Sequence, residues 1–292
     1  MRRCIVVILI LLLSVYASNV SASEKIPVFV SIVPQMYFAE KIGGDYVRVM
    51  SMTAQGADVH TFEPKPRQMT DLAKAKVYFA IGVEFEHALL SKIASVNPKL
   101  MIIQTDHGIA KIPMKAHHHD GKEAHHHEDE GGDPHIWLSP NLVKIQADAI
   151  FKALVSADPN HKAAYEANYA AFVKEIDALD AELNAIFSKA GKNNKFMVFH
   201  PSWGYFAKEY GLEQIPVEIE GKEPKPAELQ KLITHAKADN IRVVFAQPQY
   251  SSKNAEVIAK AINGQVIMVD SLAKDWADNL RQAAQKFKAA LK

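Results

Sequence analysis

The sequence predicts an α/β protein of two lobes, each a parallel sheet flanked by helices, joined by a long backbone helix with a ligand site in the cleft. Three observations predict it. Short β-rich runs alternate with helical segments from Val28 onward, as in a parallel sheet covered by helices. The same rhythm resumes at Phe196. Between the two, Tyr165, Tyr169, Phe172, Ile176, Leu179, Leu183 and Ile186 recur alternately four and three apart, which places them on one face of a continuous helix. At 1.5 Å per residue such a helix runs about 40 Å, long enough to tie two lobes together.

In the first lobe, strands are expected at 28–32, 47–52, 77–81 and 100–104. Helices fall between them at 35–42, closed by Gly43-Gly44, at 67–74, and at 85–96, stopped by Asn97-Pro98. Residues 115–132 break the rhythm with two histidine triplets, five acidic residues and almost no apolar side chains. Such a segment buries too little surface to offset its ordering entropy and is expected to be a mobile loop. Helices at 142–155 and 161–189 form the link. The second lobe reads as strands at 196–199, 215–219, 243–246 and 266–269, with helices at 205–210, 227–238, 255–262 and 276–291. The expected divisions are a leader at 1–22, lobes at 23–140 and 191–292, and linking helices at 141–190.

The leader carries Arg2 and Arg3, an apolar run at 5–16, and small residues Val20-Ser21-Ala22 before a polar stretch, the layout of a cleavable secretory signal. The run is shorter than the roughly 20 residues that span a bilayer. Cys4 is the only cysteine and precedes the apolar run, where it is badly placed for lipid attachment. The mature chain is therefore expected to be a free periplasmic protein without disulfide or thiolate ligand. A formal net charge of +1 gives no general attraction to nucleic acid or anionic lipid.

In open α/β sheets, ligands bind beyond the carboxyl ends of the strands. His60 lies in the loop after the second strand, and His135 after the fourth. In the other lobe, His200 follows the first strand directly and Asp270 follows the last. A lone histidine after a strand is more often a hydrogen-bonded structural residue; convergence of four donors, two from each lobe, is what points to a metal site in the cleft. Three imidazoles and a carboxylate suit tetrahedral Zn(2+), and four protein donors leave no position for the water of a catalytic zinc. The chain also lacks the His-Glu-x-x-His and Gly-x-Ser-x-Gly signatures and any phosphate-binding glycine loop. The expected task is holding an ion, not catalysis.

His117, His118, His119, His125, His126 and His127 stand among Asp120, Glu123, Glu128, Asp129 and Glu130, and are expected to form a weak secondary metal site; a solvated insert is the plainer alternative. His87, His107, His161 and His235 read as structural or surface residues, His235 at a core edge. Trp137, Trp203 and Tyr205 are expected to wall the cleft, and Glu218, Glu220 and the stretch 222–225 to form a charged surface loop.

Three segments then become specific: Gly56-Ala57-Asp58-Val59-His60-Thr61-Phe62-Glu63-Pro64, Asp133-Pro134-His135-Ile136-Trp137-Leu138-Ser139-Pro140 and Phe199-His200-Pro201-Ser202-Trp203-Gly204-Tyr205-Phe206. They resemble, in order, the three histidine signatures of the ZnuA/TroA-like (cluster A-I) solute-binding proteins, and Val269-Asp270-Ser271-Leu272 resembles the final aspartate motif. The resemblance implies capture of Zn(2+) in the periplasm by His60, His135, His200 and Asp270. It implies delivery to an ABC transporter made of a membrane permease and a cytoplasmic ATPase. Members handling manganese or iron commonly carry glutamate at the position of His200, so histidine there moves the expectation to zinc. The resemblance also supports a metal-collecting histidine-rich loop, and offers the charged stretch after Glu218 as a surface facing the permease. Gln247 departs from the glutamate often found there, the paired cysteines of some zinc members are absent, and some members complete the site with water or another carboxylate. A monomer without nucleic-acid partner is expected. The alternatives are a manganese- or iron-binding protein of the same transporter class, a zinc-dependent hydrolase, or an adhesin.

Overall fold

The computed structural model describes residues 24–114, 132–188, 194–218 and 222–291. The leader, residues 115–131 of the histidine-rich loop, and Ile219 and Glu220 lie outside the described residues. The first lobe holds β1 (Ile26–Val30), β2 (Val47–Ser51), β3 (Val77–Ala80) and β4 (Met101–Gln104), all parallel in the order β2-β1-β3-β4. The second repeats that plan with β5 (Lys195–Val198), β6 (Glu213–Pro216), β7 (Val243–Ala246) and β8 (Gln265–Met268) in the order β6-β5-β7-β8. Every residue of β3 and of β7 is buried, as strands covered by helices on both faces require.

The helices are α1 (Val33–Gly43), α2 (Pro66–Leu72), α3 (Glu84–Val96), α4 (Pro140–Ala157), α5 (Lys162–Phe187), α6 (Gly204–Glu209), α7 (Pro226–Ala238), α8 (Lys253–Ala261) and α9 (Trp276–Ala290). Pro66, Pro140 and Pro226 open their helices, where a missing N–H costs no bond and the fixed φ is already helical. Ser139 caps α4 by accepting from the Leu142 N–H at 3.2 Å.

The expected long helix is α5, with 26 residues. Tyr165, Phe172, Ile176, Leu179 and Leu183 of the predicted stripe are buried, Tyr169 and Ile186 are half-buried, and Phe187 joins them. Phe172 stacks on Phe38 of α1, ring centroids 5.9 Å apart, and meets Trp276 of α9 at 6.4 Å. At the other end of α9, Phe287 lies 4.5 Å from Phe196 and 4.7 Å from Phe245 of the second sheet. The chain's last helix thus packs on both lobes, and a single hydrophobic core runs through them. A second cluster, built on Met197, Ile215, Val244 and Ile258, fills the remaining face of the second sheet.

One strand is displaced from expectation. β6 covers Glu213–Pro216 instead of 215–219, and it ends on Pro216, a residue without a donor that an edge strand tolerates.

Candidate metal centre

Strand register sets the surroundings of His200. β5 pairs Val198 with Pro216 of β6 on one side and with Phe245 of β7 on the other. Two residues further along, His200 is therefore level with Glu218 and Gln247. Both engage it. Oε2 of Glu218 lies 2.7 Å from the His200 Nδ1. Gln247 accepts the His200 backbone N–H at 3.2 Å and donates to its carbonyl at 2.7 Å.

The other two histidines share a local device, an aspartate two residues upstream whose carboxylate folds back onto the backbone. Asp58 Oδ1 accepts the His60 N–H at 2.9 Å, and Asp133 Oδ1 accepts the His135 N–H at 2.9 Å. Asp133 Oδ1 also takes the His135 Nδ1, at 2.7 Å. The His60 Nδ1 turns instead to Glu84, 3.5 Å away.

These supports aim three ring nitrogens at one point. The His60 and His200 Nε2 atoms are 3.2 Å apart, and those of His200 and His135 are 3.3 Å apart. One ligand atom from each of the three rings lies within 4.8 Å of the other two. An ionised carboxylate only accepts, so the ring proton of His135 and of His200 sits on Nδ1 and the Nε2 lone pair faces inward. Lone pairs at this separation repel, and a cation between them relieves the repulsion. Two nitrogens bonded at 2.0–2.1 Å to one tetrahedral zinc stand about 3.3 Å apart, which is the spacing found here. Burial is the main cause holding the His60 and His200 imidazoles below the usual histidine range, with a neighbouring imidazole adding to it. Both are neutral near pH 7, the form that binds metal.

The cleft around the cluster is partly aromatic. Tyr250 stacks on His200 with centroids 4.6 Å apart, and its hydroxyl reaches across to Asp58 Oδ1 at 3.4 Å. Trp137 lies 5.1 Å from the His135 ring and donates its indole N–H to the Ser271 carbonyl at 2.7 Å. Tyr205 bridges the lobes, donating to the Asp133 carbonyl at 2.7 Å and accepting from the Ile112 N–H at 3.1 Å. Its phenol is pushed up to about 12, chiefly by burial. Trp203 does not wall the cleft; it packs edge-on against Phe206 and Phe287 in the second lobe's core.

Asp270 has a different setting. It is half-buried, and its Oδ1 accepts from Gln249 Nε2 at 2.7 Å and from the Leu272 N–H at 2.9 Å. Among the described residues, the group placed to hold a metal ion comprises His60, His135 and His200 without it. Glu218 corrects the surface-loop expectation: it is 7 % exposed because Val217 and Glu218 continue the bonding to β5, donating to the carbonyls of Val198 and Phe199. Lys222, Glu223 and Lys225 are exposed as expected. His87, His107 and His235 are exposed, His235 sitting off the core edge, and His161 pairs with Asp158 at 2.6 Å. The six histidines from His117 to His127 lie outside the described residues.

The sequence pattern of the family described as zinc-uptake complex component A, periplasmic, matches residues 28–290. A solved structure described as the crystal structure of ZnuA is 44% identical, covers 92% of this chain and 100% of its own, and superposes with a TM-score of 0.85. The high-affinity zinc uptake system protein ZnuA of Bacillus subtilis strain 168 is 28% identical over 86% of this chain and 80% of its own length. The iron-binding protein YfeA of Yersinia pestis is 29% identical over 80% of this chain and 74% of its own.

Proposed function

The chain belongs to the family of periplasmic zinc-uptake component A proteins, metal-binding solute-binding proteins of ABC-type uptake that are not enzymes, and from that premise we propose that it captures Zn(2+) and hands it to a membrane permease driven by a cytoplasmic ATPase. His60, His135 and His200 hold the ion through Nε2. The observation that carries this reading is the 3.2 Å and 3.3 Å spacing of those nitrogens, which suits zinc–imidazole bonds. A secretory leader at 1–22 delivers the chain to the periplasm as a free monomer, and the histidine-rich loop at 115–132 collects further zinc at lower affinity. Because the imidazoles come from both lobes, release to the permease needs the lobes to move apart.

An iron-binding relative at 29% identity supports a second reading, another divalent metal in the same site. The deciding experiment is metal-edge absorption on protein purified without a tag, followed by calorimetric competition of zinc against manganese and iron(II). Zinc in an imidazole shell, displaced by neither competitor at equal concentration, is expected. A native load of manganese or iron, or their preference in competition, overturns zinc in favour of the second reading.

A further inference from the structure

Asp270 is held beside the histidine cluster without joining it. The residue after it, Ser271, takes the indole N–H of Trp137, whose ring lies 5.1 Å from that of His135. Tyr250, the residue after Gln249, stacks on His200, so Asp270 and Gln249 both stand in segments that border the cluster. Its Oδ1 is occupied twice, by the Gln249 side-chain amide and by the Leu272 backbone. β7 and β8 are neighbours, with Ala246 opposite Met268, so the segments leaving their ends bring Gln249 and Asp270 side by side.

The orientation of Gln249 is determined by chemistry. A carboxylate offers no proton, so the amide must present its NH2 group, and its Oε1 then lies buried without a donor among the described residues. Burying an amide oxygen unpaired is unfavourable, and the partnership with Asp270 is what the arrangement gains in exchange.

We propose that Gln249 is the specificity-determining residue of the site: its amide holds Asp270 out of the three-histidine cluster, so the ion meets three imidazoles and no carboxylate. This deepens the zinc reading and rests on it. Imidazole suits zinc, whereas manganese favours hard carboxylate oxygen, so withholding Asp270 widens the preference for zinc. Freed from Gln249, Asp270 turns toward the ion and narrows it.

The test compares the mature chain with Gln249→Leu, which keeps the size and removes the amide, and with a double variant that adds Asp270→Asn. Zinc-edge fine structure gives the donor shell, and competition calorimetry gives the affinities for Zn(2+) and Mn(2+). The parent's shell comes first. Three imidazoles and one water oxygen support the tether; three imidazoles and a carboxylate overturn the tether alone; a shell without imidazoles overturns the zinc-site reading and the tether with it. Gln249→Leu is expected to gain a carboxylate donor and to raise manganese affinity at least tenfold more than zinc affinity. The double variant is expected to return to the parent's shell and ratio. A Gln249→Leu protein that melts earlier but keeps the parent's shell and ratio overturns the proposal, since that is the mark of a purely structural role.

Discussion

Oε2 of Glu218 lies 2.7 Å from Nδ1 of His200, on the ring edge opposite the Nε2 that faces His60 and His135. The contact fixes the tautomer, the ring's orientation and its basicity together. Partners of this kind are typically worth 10–100-fold in metal affinity. Glu218→Gln is therefore expected to weaken zinc binding by about that factor while the chain still folds, as is Asp133→Asn at His135. Competition calorimetry with a zinc chelator measures both. An unchanged dissociation constant would show that neither carboxylate tunes the site.

Removing the imidazoles separates binding from stability. His60→Ala and His200→Ala are both expected to abolish tight zinc binding. Their effects on the metal-free fold differ, because the carboxylates they leave behind differ: Glu84 is 70% exposed, Glu218 only 7%. A buried carboxylate stripped of its partner costs about 1–3 kcal/mol, whereas an exposed one is solvated. His200→Ala should melt earlier than the parent without metal, and His60→Ala close to it. Equal melting temperatures for the two variants would contradict this account.

The two sheets were legible because most strands are short apolar runs and most helices open at a proline or end near a glycine or asparagine; β6, with Glu213 and Gln214 at its start, is the strand that fits least. The histidines were legible because each follows a strand end, where a parallel sheet gathers its ligands. Glu218 was not, since it heads a run as charged as any surface loop. A signal for it existed: aligning the end of the 196–199 run with the next strand sets a residue close to Glu218 level with His200. That alignment needs the register, and the displaced start of β6 shows how easily it slips by two residues. The tie between Asp270 and Gln249 had no such signal, because a capping or ligating aspartate and one bonded to an amide look alike in sequence.

Acid acts on the site in a defined direction. Burial holds His60 and His200 below their unfolded-state pKa of about 6.5. Above that pH both states carry neutral rings. As pH falls through 6.5, the unfolded chain binds protons that the folded chain refuses, so metal-free stability declines until the folded rings titrate as well. Ring-proton NMR of the metal-free protein should give midpoints for both histidines under 6.5. Zinc affinity should drop as pH passes below those midpoints, where protons begin to compete for Nε2. A midpoint above 6.5 for either ring would reverse the sign and refute the burial argument.

The shared core makes a last demand, on cooperativity. Phe172 of α5 touches α1 of one lobe and, through Trp276, the helix that closes the other. Two lobes with separate cores would melt in two steps, and a cavity in one would leave the other's transition in place. Here α5 and α9 belong to both lobes, so calorimetry of the parent should show a single transition. Phe172→Ala, which empties a fully buried ring, is expected to cost about 3–5 kcal/mol. At about 2–4 °C per kcal/mol for a chain of this size, the whole transition should fall by on the order of 10 °C. If zinc is held by the histidines of both lobes as proposed, saturating zinc should raise the same transition, because a ligand of the folded form alone stabilises it. If the endotherm splits, or if Phe172→Ala moves only part of it, the lobes are stabilised independently and α5 is a strut without energetic coupling.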